Sequence, residues 1–130
     1  MNEKVLRLLT DRLREISFLA RRVLSKRIMG KQCFCVMGLI CDLYRQETGR
    51  GEWVADPDRT DRYLFRLDNE DWHSGAPQPV LDWASITFGQ EGRLIGENDA
   101  GEFTSLVDGQ LVRGNVPGMI AFIHELHNRS

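Results

Sequence analysis

Three cysteines and three histidines are the residues best suited to ligate a metal or act as nucleophiles: Cys33, Cys35, Cys41, His73, His124 and His127. Zinc takes thiolate and imidazole in tetrahedral arrays, so Cys33-x-Cys35 with Cys41 and a histidine is the set to weigh first. Cys35 and Cys41 are six residues apart in the most apolar run of the chain, which on a helix leaves them about 120° off coincidence. They read as core residues, since a buried free cysteine packs as a small hydrophobe. An odd number of cysteines in a short chain without an apolar leader also points to free thiols in a reducing compartment. His124 and His127 have the i, i+3 spacing that puts two imidazoles on one helix face, with Glu125 between them. The His-Glu-x-x-His of a zincin needs its second histidine one residue later, so helix-end electrostatics account for the pair.

Carboxylates gather at Asp56, Asp58 and Asp61, and again at Asp68, Glu70 and Asp71. Paired carboxylates can hold Mg²⁺ or divide acid and base roles. Both sets fall where turns are expected, and solvated turn residues explain them. Gly49-Arg50-Gly51 follows a helix instead of opening one, and neither a phosphate-cradling glycine motif nor a nucleophile elbow occurs. The sequence therefore assigns no catalytic residue, no metal site and no cofactor, and leans away from an enzyme. The side chains that most resemble a binding surface are Arg50, Trp53, Arg59, Arg62, Tyr63, Trp72 and His73. Trp, Tyr and Arg carry interface hot spots, and arginine with aromatic planes also suits a phosphate or a base. Covering the core is the competing role for Trp53 and Tyr63.

The elements that must position these residues are legible from periodicity. Val5, Leu6, Leu9, Leu13, Ile16, Leu19, Ala20 and Val23 recur at three- and four-residue steps, predicting an amphipathic helix from residue 2 to about residue 23 with Asn2 as its N-cap. Residues 23–29 read either as its continuation or as an extended segment stopped by Gly30, and a break is expected there. Residues 33–49 predict a buried central helix, apolar all round at its start, with Gly49 able to take the left-handed conformation that stops it. Gly38 inside that helix marks a close approach of another backbone. Trp53-Val54 and residues 63–67 read as short strands around an Asp-Pro-Asp-Arg turn. Pro79 opens a short helix over residues 80–86, residues 97–101 read as a polar turn, and Asp108-Gly109 centres a second hairpin. A last helix runs over residues 117–127, with Met119, Ile120, Ile123 and Leu126 as its core stripe. The fold class is thus α+β: one helix-rich domain over residues 1–130, with small β-hairpins.

Composition fits that reading: 130 residues, 42% hydrophobic and 28% charged, suffice for one unstapled core. The apolar run around residues 36–41 is far short of the roughly 20 needed to cross a bilayer, so a soluble, unsecreted protein with no membrane role is expected. The net charge of −2 hides an asymmetry. Residues 1–32 hold nine basic side chains against three acidic, and the remainder hold eight against sixteen. Such polarity steers charged partners or pairs one copy's head with another's body; a solvated helix face is the plainer reading.

Phe34-Cys35-Val36-Met37-Gly38-Leu39-Ile40-Cys41-Asp42-Leu43-Tyr44, followed by Glu47-Thr48-Gly49-Arg50-Gly51-Glu52-Trp53, carries a resemblance. It is similar to a set of small uncharacterised proteins of tailed-phage genomes and prophages, in which a "CCLGVLCDLY" helix precedes "ETGxGxW", a Pro-led helix with Trp, an "LNDxG" turn and a final helix. The later pieces correspond to Pro79-Val80-Leu81-Asp82-Trp83, Glu97-Asn98-Asp99-Ala100-Gly101 and Phe122-Ile123. The resemblance implies a viral or prophage accessory protein acting in the cytoplasm of a bacterial host.

The leading expectation is a non-enzymatic protein that binds a host protein, as an inhibitor of a bacterial defence or regulatory system. The alternatives are a protein that sequesters or cleaves a nucleotide signal, with Arg50, Arg59 or Arg62 on phosphate and Trp53, Tyr63 or Trp72 on the base, and nucleic-acid binding through the basic N-terminal face. The near-3.5-residue rhythm of Leu6, Leu9, Leu13, Ile16, Ala20 and Val23 further predicts a homodimer to whose interface the first helix contributes. Light scattering at tens of micromolar should then give twice the chain mass; the monomer mass would return the whole stripe to the protein's own core.

Overall fold

A helix with no polar face at its start has to be enclosed, and enclosing one helix organises this molecule. The computed structural model describes residues 1–100, 104–107, 110–113 and 116–129. In chain order the elements are α1 (Glu3–Arg14), β1 (Ser25–Ile28), β2 (Lys31–Phe34), α2 (Val36–Thr48), β3 (Glu52–Ala55), β4 (Arg62–Leu67) and β5 (Glu70–Trp72). They are followed by α3 (Gln78–Ala84), α4 (Phe88–Ala100), β6 (Thr104–Val107), β7 (Gln110–Arg113) and α5 (Val116–Asn128). The fold is α+β, with an antiparallel sheet in the order β2-β1-β4-β3, β5 also pairing with β4, and a separate β6-β7 hairpin. Every residue of α2 from Val36 to Tyr44 is buried. α1, α3 and α4 pack on it, while α5 packs on α1 and α4.

Helix ends are tied to one another. The Asn2 carboxamide caps α1 by accepting from the Val5 N–H at 2.9 Å, and its Nδ2 donates to the Trp83 carbonyl at the end of α3. His127 Nδ1 lies 2.6 Å from the Met1 carbonyl, and His124 Nε2 lies 3.2 Å from Thr10 Oγ1. The two histidines thus dock α5 against α1. Gly49 ends α2 at φ 73°, the left-handed stop that its position implies. Gly38 is the tight spot: a Cβ there would drive into the Leu24 carbonyl oxygen.

Several elements depart from the sequence expectation. The first helix stops at Arg14, not near residue 23. Leu19, Ala20 and Leu24 are nonetheless almost wholly buried. They reach the core from an irregular segment whose Ala20 N–H donates to the Phe34 carbonyl at 2.9 Å. The disputed residues 25–28 are a strand. The central helix begins at Val36 because residues 31–34 pair with β1, which leaves Cys35 as the N-cap. The polar turn expected at 97–100 is instead the last turn of α4, a helix that runs through Gly89, Gly92 and Gly96. β6 and β7 pair antiparallel with Val107 opposite Gln110, where a second hairpin is expected; Asp108 and Gly109, like Gly101 and Phe103, lie outside the described residues. Leu9 and Leu13 of the rhythmic stripe are fully buried in the protomer's own core, so charging Leu13 would unfold the chain instead of splitting a dimer.

Glycine substitutions separate packing from propensity. Gly38→Ala forces apart two backbones and should cost about 3 kcal/mol or more in urea unfolding. At Gly92 and Gly96, where a Cβ would meet nothing within 4 Å on an exposed helix face, Ala should stabilise by about 0.5–1 kcal/mol each.

Candidate binding cleft

The side chains singled out from the sequence divide into those the fold consumes and those it leaves to solvent. Trp53 is consumed. Its ring packs against Phe34 and Phe65, with centroids 5.4 and 5.0 Å away, and its Nε1 donates to Asp42 Oδ1 at 3.0 Å. Asp42 is a hub, also taking Arg12 Nη1 at 2.9 Å and both Nε and Nη2 of Arg45 at 3.1 and 2.9 Å. Burial alone would raise its carboxyl, but the hydrogen bonds from Trp53, Arg45 and Arg12 outweigh it and hold the group below the usual carboxylate range. Part of the basic excess of the N-terminal segment is thereby spent inside the fold, Lys4 pairing with Glu47 as well.

Arg62 pairs with the buried carboxylate of Asp56, whose Oδ1 accepts the Asp58 N–H in an Asx-type turn. Arg50 is exposed and forms a fork with both oxygens of Asp68 at 2.9 and 3.1 Å. Arg59 is exposed in the β3-β4 turn, and Tyr63 is half-buried on β4. The second carboxylate set is a two-residue hairpin: Asp68 and Asn69 take φ 52° and 65°, closing Leu67 against Glu70, while Asp71 pairs with Arg66. These turns therefore hold structural carboxylates.

Trp72 and His73 are brought together with residues the sequence reading missed. β5 places Trp72 opposite Phe65, and the chain then leaves the sheet through His73, Ser74 and Gly75 toward α3. A cleft of about 490 Å³ opens there, lined by Asp71, Trp72, His73, Ser74, Gly75, Ala76, Gln78, Leu81, Phe88 and Glu91. Phe88 and Glu91 both come from the first turn of α4. Phe88 is 82% exposed, whereas Glu91 is 6% exposed and accepts the Ala76 N–H at 2.8 Å through Oε2. Trp72 Nε1 is buried without a hydrogen-bond partner among the described residues. The signal for this wall was present as Thr87-x-x-Gln90, a capping box. Thr87 Oγ1 accepts the Gln90 N–H at 3.1 Å, and Gln90 Oε1 accepts the Thr87 N–H at 3.0 Å.

A smaller cavity of about 250 Å³ shares Ser74 and Gly75 with the cleft and is lined by Arg22, Cys35, Asn98 and Asp99 among others. Cys35 is the one sulfur nucleophile among its described lining residues, and burial pushes that thiol up to about 12 despite the Gly38 and Met37 N–H groups beside it. It is a protonated cap at neutral pH. Burial also raises Cys41 well above the thiol range, and it raises Cys33 against the pull of the Ile28 backbone and of Lys31 and Lys26.

The model of a domain of unknown function, DUF8296, matches residues 2–112. The chain belongs to that family. The match spans every element from α1 to β6 and most of β7, so it takes in both the Asp42 hub and the whole cleft. No curated protein and no solved structure matches the chain. No described helix is long and apolar enough to cross a membrane.

Two measurements check this assignment of roles. Asp42→Asn should cost about 2–3 kcal/mol at pH 7, since two guanidinium groups and an indole N–H lose their shared charged acceptor. The folded carboxyl titrates below its unfolded value of about 3.9, so its contribution is complete above that pH and is lost as pH falls through the folded value. The gap between wild type and variant should therefore narrow below about pH 4. Among the thiols, a disulfide reagent should titrate only the half-buried Cys33 in the native protein, with Cys35 and Cys41 released on unfolding.

Proposed function

We propose that this protein is a non-enzymatic accessory protein of the tailed-phage type, which binds a host protein in the bacterial cytoplasm and inhibits a defence or regulatory system. The host protein docks over the cleft between β5 and α4. The observation that carries the docking site is Phe88, a phenyl ring 82% exposed at the rim of a cleft that also presents Trp72 and Leu81. Core packing does not use this ring, yet it stands where a partner can enclose it, and aromatic anchors over desolvated pockets dominate binding energy. The charge polarity of the chain adds long-range steering, with exposed Arg27 and Lys31 near the tip of the β1-β2 hairpin and exposed Asp71 at the cleft.

The nucleotide reading draws less support. Arg50 and Arg62 are already paired with carboxylates, and the Trp53 ring is packed between Phe34 and Phe65, away from any stacking base.

Phe88→Ala should leave thermal stability within about 0.5 kcal/mol of wild type, because the exposed ring takes part neither in the Thr87–Gln90 capping bonds nor in the core. Capture from bacterial lysate by the wild-type protein should enrich a host protein that the Phe88→Ala protein fails to hold. If neither enriches anything above a charge-matched control, the docking proposal falls.

A further inference from the structure

We infer that the cleft receives one arginine side chain from an extended segment of the partner protein. This identity rests on the docking reading above and gives it a chemistry. Glu91 is the first reason. Its carboxylate is nearly enclosed, one oxygen takes the Ala76 N–H, and no cation pairs with it among the described residues. Burying a carboxylate is costly unless a cation or several donors meet it, and among the described residues no lysine or arginine lines this cleft. An anionic ligand such as a phosphate would add repulsion.

The apolar lining narrows the cation. Trp72 and Phe88 offer ring faces on which a planar guanidinium stacks, and Leu81 offers a surface for its methylene stem. An ammonium matches the charge but neither the stacking plane nor the two-pronged donation that a carboxylate favours. The orphaned Trp72 Nε1–H supplies the complementary half of the recognition. It lacks an acceptor, and a peptide-borne arginine brings a backbone carbonyl as well as the guanidinium. A volume of about 490 Å³ lies within the usual range for ligand pockets, roughly 300–1,000 Å³. The exposed Phe88 ring extends the contact beyond one residue, which favours a chain segment over a free small molecule.

The probe is N-acetyl-argininamide, followed by the three tryptophan indole N–H resonances in NMR, with Trp72→Phe used to assign its own signal. The Trp72 resonance should shift saturably with a Kd of about 1 mM, in keeping with the modest affinity of so small a ligand. The Trp53 and Trp83 resonances should stay in place. The neutral isostere N-acetyl-citrullinamide should bind at least tenfold more weakly, the lysine counterpart several-fold more weakly, and Glu91→Gln should weaken the arginine probe at least tenfold. Glu91→Gln keeps a carbonyl for the Ala76 N–H, so an unchanged melting temperature confirms that it folds.

Equal binding of the citrulline probe, no shift at Trp72, or full binding by Glu91→Gln would each overturn the arginine assignment. Agmatine binding as tightly as the amide overturns the peptide source in favour of a free guanidinium compound. Probe-dependent loss of a self-associated form would make the arginine donor a second copy of this chain and overturn the host source. Host capture retained by Glu91→Gln but lost in Phe88→Ala leaves the docking reading standing while this assignment falls. No host capture by the wild type removes the docking reading itself.

Discussion

A helix enclosed on every side from Val36 to Tyr44 cannot leave its first N–H groups, or Asp42, the one charge in that stretch, to water, and α2 obliges the rest of the chain to satisfy them. Its first N–H groups are met from three directions. Val36 N–H donates to the Asn98 carboxamide on α4 at 2.9 Å, Gly38 N–H to the Cys35 sulfur at 3.3 Å, and Cys35 N–H to the Leu24 carbonyl at 3.1 Å. Leu24 can reach that position only because Gly38 has no Cβ. Asp42, two helical turns in, takes Arg12 from α1 and Trp53 from β3. One helix therefore sets the position of α1, the segment before β1, β3 and α4.

The early end of α1 follows from the same constraint. If the helix ran on through residues 23–29, the Ala20 and Leu24 carbonyls would be taken by the N–H groups four residues further on. In the fold the Ala20 carbonyl takes Asn98 Nδ2 at 2.9 Å and the Leu24 carbonyl takes Cys35. Leu19, Ala20 and Leu24 keep their burial in either geometry, so apolar spacing cannot tell the two apart, whereas backbone hydrogen bonding can. The left-handed Arg22, with its N–H donated to Asp99 Oδ1 at 3.1 Å, turns the chain between those two carbonyls.

What was legible in the sequence was whatever local chemistry decides: the Asn2 cap, the Gly49 stop, the Gly38 contact, the strands at Trp53 and Tyr63, and the burial of Cys35 and Cys41. What was not legible was set by partners distant in the chain. Gly89, Gly92 and Gly96 argue against a helix by propensity, at up to about 1 kcal/mol apiece. α4 forms because its Thr87-Gln90 box starts it and its buried Leu94 and Asn98 anchor it. Of the binding residues, Trp72 and His73 could be picked by type. Phe88 and Glu91 could not, because they lie on a stretch to which periodicity assigns no element, and only the fold brings them opposite β5.

The recognisable motif and the candidate site thus do different work. Cys35, Asp42, Thr48, Gly49 and Trp53, all within residues 34–53, cap, pair, stop or cover α2; Thr48 Oγ1, for example, donates to the Tyr44 carbonyl at 2.6 Å. None of these residues lines the cleft. A sequence pattern dominated by the burial of one helix identifies how a chain folds and leaves its ligand unstated. The cleft instead depends on the α4 register, fixed at one end by Glu91 on the Ala76 N–H and at the other by Asn98 on Val36. Because both anchors are backbone contacts of buried side chains, the exposed Phe88 can change type without disturbing α2. Relatives that share the helix motif can therefore differ in what they bind, and the residues to compare among them are those at positions 72, 81, 88 and 91.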